Sequence, residues 1–321
     1  MLQFILHVLQ KTKIKEEIHM QYQIISDGSC DLSPELTKEK QILVVPFYVS
    51  FDDKTYQKEI TEIGIRDFYD QMVAQPKVFP KSSMPSVQDY YDVFEPLAKE
   101  NTPIICICIT TKFSGSMQSA KTAKDMIHEK YPLAQITVMD STVDTVLQGI
   151  FVLEAVKMRD AGFGYEETVA RLEEIKSTGR IFFTVGSIDY LKHGGRIGKL
   201  AGLAGSVLGI RPLITLKEGE IFSSGITRSR KKSMDKVIDL LLEYIDGTGK
   251  PLSAFSLSVG FGYDAQEAED FRDLILSTLN EKQKGSSPLT AEELPIFQIG
   301  ATISVHTGPY PLGIGIIERA I

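Results

Sequence analysis

Three cysteines in 321 residues, Cys30, Cys106 and Cys108, are too few for a disulfide framework, so a reducing, cytoplasmic setting is expected. The five histidines, His7, His19, His128, His193 and His306, form no closely spaced pair, which leaves no metal-binding signature. Cations are outnumbered, 35 Lys and Arg against 42 Asp and Glu, giving a net charge of −7 and a pI near 5.4. That balance argues against a nucleic-acid surface, which draws its affinity from clustered Lys and Arg. No run is long enough to span a bilayer. The opening MLQFILHVLQ is apolar but short, and lysines follow it rather than precede it, so it matches neither a spanning helix nor a signal peptide. Residues 1–19 read as an extension ahead of a first strand that begins after Met20.

Enzyme motifs are missing as well. No Gly-x-Gly-x-x-Gly follows the first strand. The run Gly194-Gly195-Arg196-Ile197-Gly198-Lys199 is one residue short of a phosphate loop, and Leu200 stands where a Mg²⁺-binding hydroxyl belongs. Ser114 lacks the Gly-x-Ser-x-Gly elbow, with Lys112 two residues before it and Ser116 two after. A serine-type lipid or acyl-ester hydrolase, with Ser114 as nucleophile and His306 as base, is therefore the alternative rather than the leading reading. No cofactor is expected.

What the chain does have is an ordinary globular composition, 43% hydrophobic and 24% charged, at a length that favours two α/β domains. Strand and helix signals alternate. Tyr22–Ser26, Ile42–Phe51, Ile104–Ile109 and Gln135–Asp140 read as strands, and Thr61–Ala74, Val87–Lys99 and Val146–Ala161 as helices. Ser33 and Pro34 mark a further helix start. The helix ending at Gly162 closes a first domain, 20–162, and 163–321 form the second. There, Arg180–Ser187, a hairpin turning at Glu218-Gly219, Ser253–Phe261, Ile296–Val305 and Leu312–Ile317 read as strands, with helices at Tyr165–Thr178, Ser233–Ile245 and Ala265–Asn280. Cys106 and Cys108 share one face of a core strand and read as buried, inert thiols.

The most informative stretch is Ile104–Ala120. A β-branched strand runs into the small polar turn Thr110-Thr111-Lys112-Phe113-Ser114-Gly115-Ser116, and a helix follows. Open α/β sheets bind ligands at that edge, where free amides and the helix dipole favour an anion. Capping of the helix by Ser114 is the plainer reading of the same residue. Comparable turns occur at Ser26-Asp27-Gly28-Ser29-Cys30-Asp31, Lys81-Ser82-Ser83-Met84-Pro85-Ser86, His193-Gly194-Gly195-Arg196-Ile197-Gly198 and His306-Thr307-Gly308-Pro309. As an ordered set, from about Met20 to Ile321, they resemble the DegV family, the bacterial fatty-acid-binding subunits of fatty acid kinase.

The resemblance implies a two-domain DegV-like fold, each domain a sheet flanked by helices, with the ligand between them or at the strand-end turns. It implies a long-chain fatty acid whose carboxylate is bound by Ser82, Ser83, Ser114 and Gly115, with Arg196 and His306 completing the polar network. It also implies a separate ATP-binding kinase subunit that makes acyl phosphate, this chain not being catalytic alone. Met84 replaces the family's usual Gln, and Tyr310-Pro311 stand where small residues are common. Candidate acyl-tunnel walls are Ala201–Leu208, the Phe113 neighbourhood and Ile210. Arg228, in the basic run Arg228-Ser229-Arg230-Lys231-Lys232, is the candidate kinase-docking residue. Burying an acyl chain gains about 0.8 kcal/mol per methylene, on the order of 10 kcal/mol for a long chain. The tail would supply affinity and the polar turns orientation.

Overall fold

A computed structural model of the chain describes residues 22–203, 209–282 and 287–321. The proposed extension 1–19 and most of the candidate tunnel segment Ala201–Leu208 lie outside them. The first sheet is parallel and four-stranded, in the order β2-β1-β6-β7. Its members are β1 (Gln23–Asp27), β2 (Ile42–Val45), β6 (Ile104–Cys108) and β7 (Ile136–Asp140). Every residue of β1 and β6 is buried, as expected for strands covered on both faces. The covering helices are α1 (Pro34–Glu39), α3 (Val87–Lys99), α4 (Ser116–Lys130) and α5 (Thr145–Asp160), with α6 (Tyr165–Ile175) beside α5. Ser33 caps α1 through the Leu36 amide, with Pro34 in its first position. Cys106 and Cys108 share one apolar layer, their sulfurs 3.8 Å apart.

Between β2 and α3 the chain builds a small antiparallel sheet, β4-β3-β5, from β3 (Tyr48–Ser50), β4 (Gln57–Lys58) and β5 (Lys81–Ser83), with α2 (Ile65–Ala74) before β5. Three expectations are corrected here. Ile42–Phe51 is two strands in different sheets, because Pro46 offers no ladder N–H and the Phe47 amide turns instead to the Glu59 carboxyl at 3.2 Å. Lys81–Ser83 is not a free turn but a strand paired with β3, Val49 opposite Ser82. The helix expected from Thr61 starts at Ile65, after a turn that ends at the extended cap residue Gly64.

The second sheet has the order β10-β9-β8-β13-β11-β12. It comprises β8 (Arg180–Thr184), β9 (Arg211–Lys217), β10 (Glu220–Thr227), β11 (Phe255–Phe261), β12 (Ile296–Gln298) and β13 (Leu312–Glu318). Its pairs are antiparallel except β11 with β12. The β9–β10 hairpin turns through Glu218 and Gly219, both at positive φ (51° and 81°), the geometry of a primed two-residue turn. The helices here are α7 (Asp189–His193), α8 (Arg230–Thr248), α9 (Ala265–Lys282) and α10 (Ala301–Thr307). The last is a correction, since Ile296–Val305 was expected to be one closing strand. The ladder stops where the Ile299 amide makes its bond to the Phe261 carbonyl at 2.7 Å. Gly300 then caps a short helix buried almost all round. A short β-branched run carries no period to separate the two forms, and tertiary packing decides.

Both sheets pack on α5, which is buried along nearly its whole length. Gln148 of α5 reaches the Asp27 carboxylate on β1, and Glu154 accepts from Ser256 and from the Ala320 amide beside the second sheet. The loop ends of the parallel sheet are thereby set against β8, β10, α7 and α10. Among the described residues no helix is long and apolar enough to cross a membrane.

Candidate functional site

The site begins with a buried carboxylate. Asp27, at the end of β1, accepts hydrogen bonds from Ser29 Oγ (2.6 Å), Gln148 Nε2 (2.8 Å), Ser116 Oγ (2.7 Å) and the Ile109 amide (3.0 Å). Burial raises its pKa, opposed by those donors. One side chain thus ties together the ends of β1 and β6, the start of α4 and the body of α5. It does not face the cavity; it holds the Thr110–Ser116 turn from beneath. Within that turn the amides of Phe113 and Ser114 both bond to the Thr110 carbonyl, at 3.0 and 3.3 Å.

Ser114 Oγ accepts the Ser116 amide at 3.1 Å, so the capping interaction expected of it exists, although Gly115 occupies the N-cap position. Because that oxygen accepts, its own proton remains to be donated. Gly115 lies against Met84: a side-chain carbon at 115 would come within 2.8 Å of the Met84 sulfur.

The second half of the chain supplies the facing groups. Arg196 reaches across with Nε on the Phe113 carbonyl (2.9 Å) and Nη1 on the Gly194 carbonyl (3.0 Å), leaving Nη2 available. His306, on α10, has Nε2 at 3.3 Å from Ser82 Oγ, and its Nδ1 is buried without a partner. Burial first, then the Arg196 charge, pushes its pKa down to about 4, so the ring is neutral at physiological pH. The close approach of the Gly194 backbone to Nδ1 requires glycine there, since a β-carbon would overlap the ring. His193 of the same turn takes no part; it stacks on Phe79 with ring centroids 3.6 Å apart.

All six expected ligand residues, Ser82, Ser83, Ser114, Gly115, Arg196 and His306, line one cavity of about 250 Å³, and Met84 and Phe113 join them. Its remaining wall includes Phe47, Ile109, Phe183, Leu191, Ile221, Ile303 and the carboxyl-bearing Asp144. Asp144, Phe183, Ile303 and Thr307 also border a narrow recess of about 30 Å³ that continues toward Val146, Ile181 and Ile299. Ser82, His306, Arg196 and the Phe113–Gly115 turn are thus tied together on one side of the cavity, and the recess opens on the side of Phe183 and Ile303, beside Asp144 and Thr307. Ser114, Gly115 and Arg196 further edge an open groove of about 660 Å³ with Lys112, Lys199 and Glu220.

Other expectations fare differently. Ile210 does not line the cavity, and Ala201 and Gly202 are exposed. The walls that sequence reading missed come from β3's approach, β8, β10 and α10, where they look like any core residue. No hydrogen bond joins Ser114 to His306, whose Nε2 faces Ser82, so the nucleophile–base pair of the hydrolase alternative is not assembled. Arg228 is exposed and lies outside the cavity. Its neighbour Arg230 is neutralised by Glu267 through two 2.6 Å bonds, and Ser229 caps α8 through the Lys232 amide.

Comparison with known proteins bears on the family and the fold. The model of the family described as uncharacterised protein, DegV family, matches residues 21–319. A DegV domain-containing protein of Clostridium perfringens is 30% identical over 295 residues, covering 92% of this chain and 98% of that protein. A crystal structure described as a stearic-acid-binding protein from Eubacterium ventriosum superposes with a TM-score of 0.87 at 42% identity, covering 93% of this chain and 99% of that one. A DegV family protein from Thermus thermophilus, described by its fatty-acid binding, gives 0.76 at 25% identity over 93% and 100% of the two chains.

Proposed function

The chain belongs to the DegV family, and on that premise we propose that it binds a long-chain fatty acid, the carboxylate at the polar end of the cavity and the tail along its apolar wall. The observation that carries this reading is the convergence of Ser82, Ser114, Gly115, Arg196 and His306 at one end of a cavity walled by Phe47, Ile109, Phe183 and Ile303. Ser114 donates its free proton, and Arg196 supplies the charge. A neutral His306 adds a hydrogen bond without the cost of burying an ion. The stearic-acid-binding character of the Eubacterium ventriosum protein supports the same ligand class. Extraction and mass spectrometry of the purified protein should recover a stoichiometric acyl ligand. Recovery of empty protein that also fails to bind added oleate or palmitate would overturn the reading.

The proposal extends to a second protein. The chain presents the bound carboxylate to a separate ATP-bearing kinase subunit. There a carboxylate oxygen attacks the γ-phosphorus, the new C–O–P linkage forms, and ADP leaves. The open groove beside Ser114 and Arg196, with Lys112 and Lys199 along it, gives a phosphoryl donor a route to the head group, and exposed Arg228 is the proposed contact with the partner. Mixing this protein, fatty acid, Mg-ATP and the kinase subunit should yield acyl phosphate, and leaving out either protein should not. Arg228→Ala should lower turnover several-fold, more so as salt rises, with fatty-acid affinity unchanged. Phosphorylation by this chain alone would refute the carrier role.

A further inference from the structure

Asp144 occupies a position in which a plain hydrocarbon ligand has no use for a carboxyl group. It borders both the main cavity and the recess beyond it, and it is only 9% exposed. It is also the N-cap residue of α5, where an Asp side chain ordinarily accepts an amide two or three residues on. This one makes no such bond. Its carboxyl receives a hydrogen bond only from its own backbone N–H, while the neighbouring Thr145 hydroxyl is directed to Asp31 at 2.6 Å. A buried acceptor left without a partner is costly, and a methylene chain lying along this wall would leave it so. Nor is the ligand carboxylate left for it, being already served in the proposed complex by Ser114, Ser82 and Arg196 of the same cavity.

We propose that the cavity is shaped for an acyl chain bearing a hydroxyl group along its length, and that Asp144 is the residue that recognises that hydroxyl. The proposal rests on the fatty-acid reading and narrows its ligand class. The acid–base state of the side chain supports a hydroxyl over other polar substituents. Burial pushes the Asp144 carboxyl up to about 7, so near neutral pH both its forms are present. A ketone would suit only the acid and an ammonium group only the carboxylate. A hydroxyl donates to one and accepts from the other.

The test is competitive binding of stearate and a set of hydroxystearates differing in hydroxyl position, to the full-length protein stripped of lipid and to Asp144→Ala and Asp144→Asn. At least one hydroxystearate should bind about ten-fold or more tighter than stearate, as expected for a hydrogen bond to a buried ionisable group. Asp144→Ala should lose that preference while keeping or improving stearate affinity, and Asp144→Asn, which still donates and accepts, should keep part of it. Stearate binding as tightly as every hydroxystearate would overturn the proposal and leave the fatty-acid reading standing. So would a hydroxyl preference that survives in Asp144→Ala. Failure of all these acids to bind would overturn both.

Discussion

Replacing Asp144 by Asn should stabilise the ligand-free protein by an amount that depends on pH. The carboxyl has an ordinary value of 3.8 and is lifted to about 7 by burial, with Asp31 among its neighbours. Between those two pH values the folded chain holds a proton that the unfolded chain has released. Stability therefore falls as pH rises through that interval and levels off above it. At about 1.36 kcal/mol for each tenfold change in proton binding, the interval amounts to roughly 4 kcal/mol at and above neutrality, and to nothing below about pH 4. Asn fills the same space and titrates nothing, so the Asn variant should gain that amount over wild type at about pH 8, on the order of 10 °C in Tm, and almost none of it near pH 4. Other titrating groups act on both proteins and cancel in the difference. The assay is thermal and urea unfolding of lipid-free protein across this range. A wild-type-to-Asn difference that does not change with pH would show that Asp144 titrates alike in the folded and unfolded chains. That would place it in water rather than on the cavity wall.

Ser114→Ala should weaken fatty-acid binding by about ten-fold or more through loss of one charge-assisted donor, with no acyl-ester hydrolysis lost in an esterase assay; wild-type turnover abolished by this change would restore the hydrolase reading. Asp27→Ala leaves four donors without their acceptor and should cost about 3 kcal/mol or more of stability by denaturant titration, with fatty-acid affinity falling too as the Ser114 turn loosens. The His306 ring, held near 4 against an ordinary value of 6.5, favours the fold above about pH 6.5 and loses that contribution, about 3 kcal/mol, as pH falls toward 4. His306→Gln should flatten that part of the acid limb, and an NMR titration of His306 centred near neutrality in lipid-free protein would contradict its enclosure.

The parallel sheet and the turn that edges the cavity are legible because their signals are local. Ile104–Cys108 is β-branched and the Thr110–Ser116 turn is small and polar, and a helix pattern follows at once. The errors came where local preference was neutral. Ala301–Thr307 is a run of small and β-branched residues that a sheet would accept equally well. Its helix exists because Glu59 takes the Thr302 amide at 3.0 Å and Tyr69 reaches the Ile299 carbonyl at 3.0 Å, from 243 and 230 residues away. Pro46 was the one available sign that Ile42–Phe51 would break, and the break is what brings Phe47 to the cavity.

The two ends of the cavity differ in how far a sequence can disclose them, and the reason is chemical. Serine, glycine and histidine at strand ends serve few core purposes, so their recurrence in four turns points to a shared polar site, and the structure does gather Ser82, Ser114, Gly115, Arg196 and His306. Phe47, Ile109, Phe183 and Ile303 serve a ligand and a core equally well, since both reward apolar area without regard to partner. The wall, which in the proposed complex would meet the tail and govern which tail fits, is the part that sequence conceals. Asp144 is concealed for the opposite reason: it is polar, but it stands at a helix start where Asp needs no further explanation. Only the absence of the expected capping bond, together with its place on the cavity wall, separates it from an ordinary cap.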